Sequence, residues 1–170
     1  MLVTNDLKQR AEAASQHVAT VYNGNELTYE QLWTRAQRLA AHLQKRYKKG
    51  DIVALFLINS DDLLVAYYGI QLAGLTVMPV NTKLAVPEIA YIFEHSQARV
   101  LIYDEALRDK ALATTHTFDE TIVRGGVNEL QAILDDEQLT YEPYDMDPDE
   151  MAVVMYTSGT TGKPKGVMLS

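Results

Sequence analysis

The chain has 170 residues, 47% hydrophobic and 22% charged, with nine Gly, five Pro and no Cys, a profile of one ordinary globular domain that excludes a fibre or a disordered tail. Without cysteine there is no disulfide, thiolate-ligated zinc, iron–sulfur cluster or cysteine nucleophile, and a chain of this length buries roughly 70% of its unfolded surface without such staples. Fifteen Lys and Arg against 23 Asp and Glu give a net charge of −8, which disfavours nucleic acid or an anionic membrane as a partner.

The apolar spacing alternates between strand and helix periods along the chain. Asn5 or Asp6 suits the cap of a first helix to about Gln16, followed by a hairpin of residues 18–22 and 26–28 turned by Asn23, Gly24 and Asn25. Thr28 and Gln31 then form a capping-box pair. Leu32, Trp33, Ala36, Leu39, Ala40 and Leu43 make one helical stripe behind it, ended by Lys48, Lys49 and Gly50. Residues 52–58 form an apolar run suited to a strand buried on both faces. Asn59 and Ser60 cap a helix over 61–73, whose first-turn acids Asp61 and Asp62 complement the helix dipole.

A strand over 76–80, a short helix from Pro87 to His95 and a third buried run over 99–103 come next. A helix over 105–113, a strand over 121–123 and a helix over 127–134 complete the pattern. Strands separated by helices in this order predict an α/β fold, a mostly parallel sheet flanked by helices, with ligands at the carboxyl ends of its strands.

Eight acids and no base lie between Asp135 and Glu150, so the remainder balances at fifteen of each sign. With Pro143 and Pro148 and no helical period, this stretch reads as a solvated linker rather than an acidic binding tail. The organisation is therefore expected to be an α/β unit over 1–134, an acidic linker over 135–150, and a strand, loop and strand over 151–170. The opening MLVTNDLKQR lacks a signal-peptide pattern and no apolar run approaches the roughly 18 residues of a membrane span, so a cytoplasmic location is expected.

Residues 152–157 (AVVMYT) read as one more buried strand that runs into Ser158, Gly159, Thr160, Thr161, Gly162, Lys163, Pro164, Lys165 and Gly166, after which 167–169 resume an apolar run. Three glycines permit close backbone approach, four hydroxyls from Thr157 to Thr161 join the N–H groups as donors, and two lysines supply positive charge. That combination suits phosphate oxygens. A Gly-, Thr- and Lys-rich stretch also suits a plain hairpin turn. It is neither a Walker A loop, since position 157 is Thr and Pro164 follows Gly162-Lys163, nor a dinucleotide fingerprint.

The ordered string from Tyr156 to Gly166 resembles the signature phosphate loop of the adenylate-forming superfamily of acyl-CoA synthetases, luciferases and peptide-synthetase adenylation domains. Upstream, Leu27-Thr28-Tyr29 and Leu72-Ala73-Gly74 leading into Met78-Pro79-Val80-Asn81 look like the same superfamily in the same order, and Asn81-Thr82-Lys83-Leu84 with Glu88-Ile89-Ala90-Tyr91-Ile92 is similar to bacterial fatty-acyl and related acyl-CoA ligases in particular. The resemblance spans essentially the whole chain and about the first third of such an enzyme. It implies ATP and magnesium as cofactors, coenzyme A as co-substrate and a small carboxylic acid as substrate.

By the same resemblance, Thr157, Ser158, Gly159, Thr160, Thr161, Gly162, Lys163, Lys165 and Gly166 would form the phosphate site. Ser158 to Gly162 would wrap the β- and γ-phosphates, Lys165 would be the principal cation with Lys163 secondary, and the Thr157 hydroxyl would approach magnesium. No catalytic residue is expected within these 170 residues. The expectation is thus a piece of an acyl-CoA ligase that does not catalyse alone and self-associates through an exposed apolar face. The alternatives are a non-catalytic remnant, half of a split enzyme, or an aryl- or amino-acid adenylation domain.

The remaining candidates read more plainly. His17, His42, His95 and His116 lack metal-ligand spacing, Ser158 lacks the flanking glycines of a serine-hydrolase elbow, and Trp33, Tyr67 and Tyr68 are expected to pack in the core.

Overall fold

The computed structural model describes residues 3–143, 149–157 and 164–170. A six-stranded sheet in the order β6-β5-β3-β4-β7-β8 lies between two helical layers, beside a separate two-stranded hairpin. The strands are β1 (Val18–Tyr22), β2 (Asn25–Thr28), β3 (Ile52–Phe56), β4 (Thr76–Pro79), β5 (Val100–Asp104), β6 (Glu120–Arg124), β7 (Val153–Thr157) and β8 (Lys165–Leu169). The helices are α1 (Val3–Ala13), α2 (Tyr29–Gln44), α3 (Asp61–Leu72), α4 (Val86–Ser96), α5 (Arg108–Leu112) and α6 (Glu129–Asp135). Strands β3 to β7 pair in parallel, and β8 returns antiparallel to β7 at the edge.

Alternation along the buried strands sorts side chains into two cores. Val53, Leu55, Val100, Ile102 and Val153 join the layer of α1, α2, α3 and α6. Ala54, Phe56, Leu101, Tyr103 and Val154 join α4 and α5 on the other face. The helices after β3 and β4 therefore leave toward opposite faces, the arrangement that opens a crevice outside the carboxyl ends of the strands.

Local chemistry explains the main elements. The Thr28 hydroxyl accepts from Gln31 N at 3.2 Å while Gln31 Oε1 accepts from Thr28 N at 2.9 Å, closing the capping box of α2. Ser60 Oγ accepts from Leu63 N at 3.2 Å at the start of α3. The two helices meet at Gly69, where an added Cβ would lie 2.9 Å from the Ala36 carbonyl oxygen. Trp33, Tyr67 and Tyr68 pack half-buried against this core.

Several boundaries differ from the sequence expectation. α1 starts at Val3, so Asn5 and Asp6 lie inside its first turn, where Asp6 faces the positive helix end. Asn23 and Gly24 form the whole β1–β2 turn, with φ of 50° and 81°, and Asn25 belongs to β2 opposite Tyr22. The helix expected over 105–113 is a 3₁₀ turn, Glu105–Leu107, followed by α5, with the Glu105 carboxylate accepting two 2.7 Å hydrogen bonds from Arg108.

The run at 152–157 is buried only at Val153 and Val154, because β7 has just an exposed edge strand beyond it. Met155, Val167 and Leu169 share one face of that strand pair and are 46%, 45% and 47% exposed. Described residues of the acidic stretch meet α2 and the turn after it: Arg38 lies 3.9 Å from Glu137, Gln44 donates to Glu142 O at 2.9 Å, and Lys49 pairs with Glu150.

Candidate functional site

The described part of the phosphate-loop motif is the base of the β7–β8 hairpin. Backbone pairing sets Val154 opposite Met168, Met155 opposite Val167, Tyr156 opposite Gly166 and Thr157 opposite Lys165. Residues directly opposite in an antiparallel pair point to the same face, so Thr157 and Lys165 stand side by side, both exposed, where the loop begins and ends. Ser158, Gly159, Thr160, Thr161, Gly162 and Lys163 lie outside the described residues.

The amino end of β7 is anchored in the sheet. Val77 N donates to Ala152 O at 2.9 Å and Thr76 Oγ1 to Met151 O at 3.0 Å. Its carboxyl half is held from α4, where His95 Nδ1 lies 2.7 Å from the Tyr156 hydroxyl. The His95 ring also stacks on Tyr91, with centroids 5.3 Å apart. Burial and the neighbouring Tyr91 push the Tyr156 phenol pKa above its ordinary value. Nothing in the histidine spacing signalled this contact, which crosses 61 residues.

A second cluster at the carboxyl ends of β5 and β6 was also missed. Asp104 and Arg124 are register partners there. Arg124 donates to Asp104 Oδ1 and to Asp62 Oδ2, each at 2.8 Å, Arg35 donates to Asp62 Oδ1 at 3.0 Å, and Ile58 N donates to Asp104 Oδ2 at 2.5 Å. Burial opposes the Arg124 charge, but its two carboxylate partners more than offset that, and its pKa lies above the ordinary value. Asp62 thus does more than complement the start of α3: it bridges α2 to β6. The signal available was an acid and a base ending two consecutive buried runs.

At the opposite end of the sheet, Glu120 lies 2.8 Å from His42 Nε2 and accepts from the Tyr47 hydroxyl at 2.9 Å. Burial first, then this hydrogen bond and the Glu120 charge, push the Tyr47 phenol up to about 12. Among the described residues no group of three or more His, Asp or Glu could hold a metal ion, and no helix is long and apolar enough to cross a membrane.

Residues 7–170 match the family described as AMP-binding enzyme. The chain is 35% identical over 170 residues to 2-succinylbenzoate–CoA ligase of Bacillus licheniformis, covering 96% of this chain and 33% of that protein. It is 32% identical over 160 residues to surfactin synthase subunit 3 of Bacillus subtilis, covering 94% of this chain and 12% of that protein. The N-terminal domain of FACL13 from Mycobacterium tuberculosis superposes with a TM-score of 0.87 at 31% identity, covering 98% of this chain and 43% of that one. The chain therefore spans a third or less of the length of these two curated relatives. With the α/β sheet and these matches agreeing, the chain belongs to the AMP-binding enzyme family, as a counterpart of part of the N-terminal domain of its bacterial acyl-CoA synthetases.

Proposed function

We propose that this chain supplies the phosphate-binding segment of an ATP-dependent, AMP-forming acid–CoA ligase. In that reaction a substrate carboxylate oxygen bonds to the α-phosphorus of ATP as the bond to the β-phosphate oxygen breaks, giving acyl-adenylate and pyrophosphate. The sulfur of coenzyme A then attacks the acyl carbon and AMP departs. The first step gathers negative charge on the leaving pyrophosphate, so catalysis depends on positioning and charge neutralisation.

The observation that supports this reading is the register of Thr157 with Lys165 at the carboxyl end of β7. It sets a hydroxyl and an ammonium side by side at the mouth of a loop made of Ser, Thr, Gly and Lys. Lys165 serves as the main cation, Lys163 as a secondary one, and the backbone and hydroxyls of Ser158, Gly159, Thr160, Thr161 and Gly162 as donors to phosphate oxygens. Gly166 leaves room at the second stem for the Tyr156 ring. Magnesium, when bound, would supply positive charge to offset that of the phosphates, and Thr157 would be the residue to approach it.

Residues 1–170 by themselves bind ATP weakly and do not adenylate an acid, because they offer phosphate contacts without a complete nucleotide site. We assign 1–134 as the first unit, 135–150 as the connection that follows it, and 151–170 as the strand, loop and strand that add β7 and β8 to its sheet. The acid is a small carboxylic acid. An amino acid is the second reading beside a fatty or aryl acid, since the match extends to surfactin synthase subunit 3 as well as to a CoA ligase.

The test is a titration of the chain with magnesium and inorganic tripolyphosphate, followed by amide NMR. Shifts centred on residues 157–166, weakened several-fold by Lys165→Ala, are expected. Shifts elsewhere, or none, contradict the reading.

A further inference from the structure

The parallel ladder between β4 and β7 has one register pair, Val77 with Val153. Beyond it, the described side-chain hydrogen bond to the carboxyl half of β7 comes from His95 of α4, whose Nδ1 is 2.7 Å from the Tyr156 hydroxyl. The two rings meet edge-on with centroids 5.8 Å apart, and Tyr91 stacks on the His95 ring. A phenol both donates and accepts, so this bond forms with either imidazole tautomer. Tyr156 in turn lies over its register partner, Gly166: a Cβ added there would be 3.3 Å from Tyr156 Cζ and 3.5 Å from its hydroxyl oxygen. An aromatic ring laid across a strand glycine pins a register that the glycine leaves loose.

We propose that His95 is a positioning residue for the phosphate loop, acting through Tyr156. It holds the Tyr156 ring over Gly166 and so fixes the spacing of the two stems that carry Thr157 and Lys165. The proposal rests on the phosphate-binding reading above and adds to it a residue 61 positions upstream of the motif. His95 is exposed, so this position is explained by the hydrogen bond and ring contacts rather than by core packing. A converging donor site needs its stems held within a fraction of an ångström, since each donor must reach its oxygen at hydrogen-bond length.

The experiment uses the 170-residue chain and two readouts: amide hydrogen exchange, and affinity for inorganic tripolyphosphate with magnesium. His95→Ala should speed exchange in β7 and β8 about tenfold, as expected for loss of one hydrogen bond, leave β3 and β5 unchanged, and weaken tripolyphosphate several-fold. His95→Asn carries an amide atom near the position of Nδ1 and should restore both readouts. Tyr156→Phe should match His95→Ala, and the double variant should be no worse than either single one.

Unchanged hairpin exchange and affinity in His95→Ala overturn the proposal, as do additive effects or faster exchange in every strand. If the unsubstituted chain binds no tripolyphosphate while His95→Ala still loosens the hairpin, the phosphate reading falls and the mechanical coupling stands.

Discussion

Asp104 and Arg124 end two adjacent parallel strands in register, and their side chains meet at 2.8 Å with Asp104 4% exposed. The pair extends through Asp62 to Arg35, so one ionic chain ties α2, α3, β5 and β6 together where the sheet meets its loops. Opposite charges held this way hold a geometry that neither partner keeps alone, and removing one strands the other in a poorly solvated place.

Arg124→Ala should therefore destabilise the chain by about 3 kcal/mol, the lower end for a broken buried pair because Arg124 keeps some solvent contact. Urea unfolding followed by circular dichroism measures it. Asp104→Asn, which keeps an acceptor for Ile58 N, should cost less. A change under about 0.5 kcal/mol for Arg124→Ala, the level of an exposed pair, would mean that the network carries little.

Gly69 is the contact point between α2 and α3. An added Cβ meets the Ala36 carbonyl oxygen at 2.9 Å and Leu39 Cβ at 3.0 Å, so backbone must move. The helix-propensity gain of Gly69→Ala, about 1 kcal/mol, should be outweighed by overpacking of about 1–3 kcal/mol. A lower melting temperature is expected, and a raised one would show that the helices separate freely.

Tyr47 sets an alkaline limit. The folded chain holds its phenol up to about 12, through burial and Glu120, against about 10 unfolded. A raised pKa means that the unfolded state releases its proton first. The stability contribution is thus complete below about pH 10 and is lost as pH rises through 12. Stability measured from pH 9 to 12 should fall, and Tyr47→Phe should fall less steeply over that window. Equal slopes would remove Tyr47 from the account.

Self-association is the outcome expected from the edge of the sheet. Met155, Val167 and Leu169 form an apolar face on β7 and β8, and Met168 is 71% exposed on the other side. An exposed edge strand with such faces invites pairing with another chain. Light scattering of residues 1–170 should show mass rising with concentration, and Val167→Lys should hold it near 19.1 kDa. A monomer throughout the series would contradict this.

Much of the architecture could be read from local patterns. Thr28 with Gln31, Ser60 ahead of Asp61 and Asp62, and the continuous runs of β3 and β5 each announce an element by its own hydrogen bonding or burial, and the structure keeps them. The phosphate-loop reading also rests on consecutive residues, of which Ser158 to Lys163 lie outside the described residues. What escaped was chemistry made by the sheet order: β7, next in the chain after β6, lies beside β4 on the other side of the sheet from β6. That crossover alone brings His95 to Tyr156, and no period along the chain encodes it. The burial expected along β7 failed for a related reason, since an apolar run does not say whether its strand has neighbours on both sides.

The most direct measurement is carboxylate-dependent ATP–pyrophosphate exchange with a panel of fatty, aryl and amino acids. It is run on residues 1–170 alone and after addition of the separately expressed remaining two-thirds of the Bacillus licheniformis 2-succinylbenzoate–CoA ligase. The account predicts none from the chain alone, and exchange on complementation that Lys165→Ala abolishes. Exchange by the isolated chain, or complemented exchange indifferent to Lys165, would contradict it.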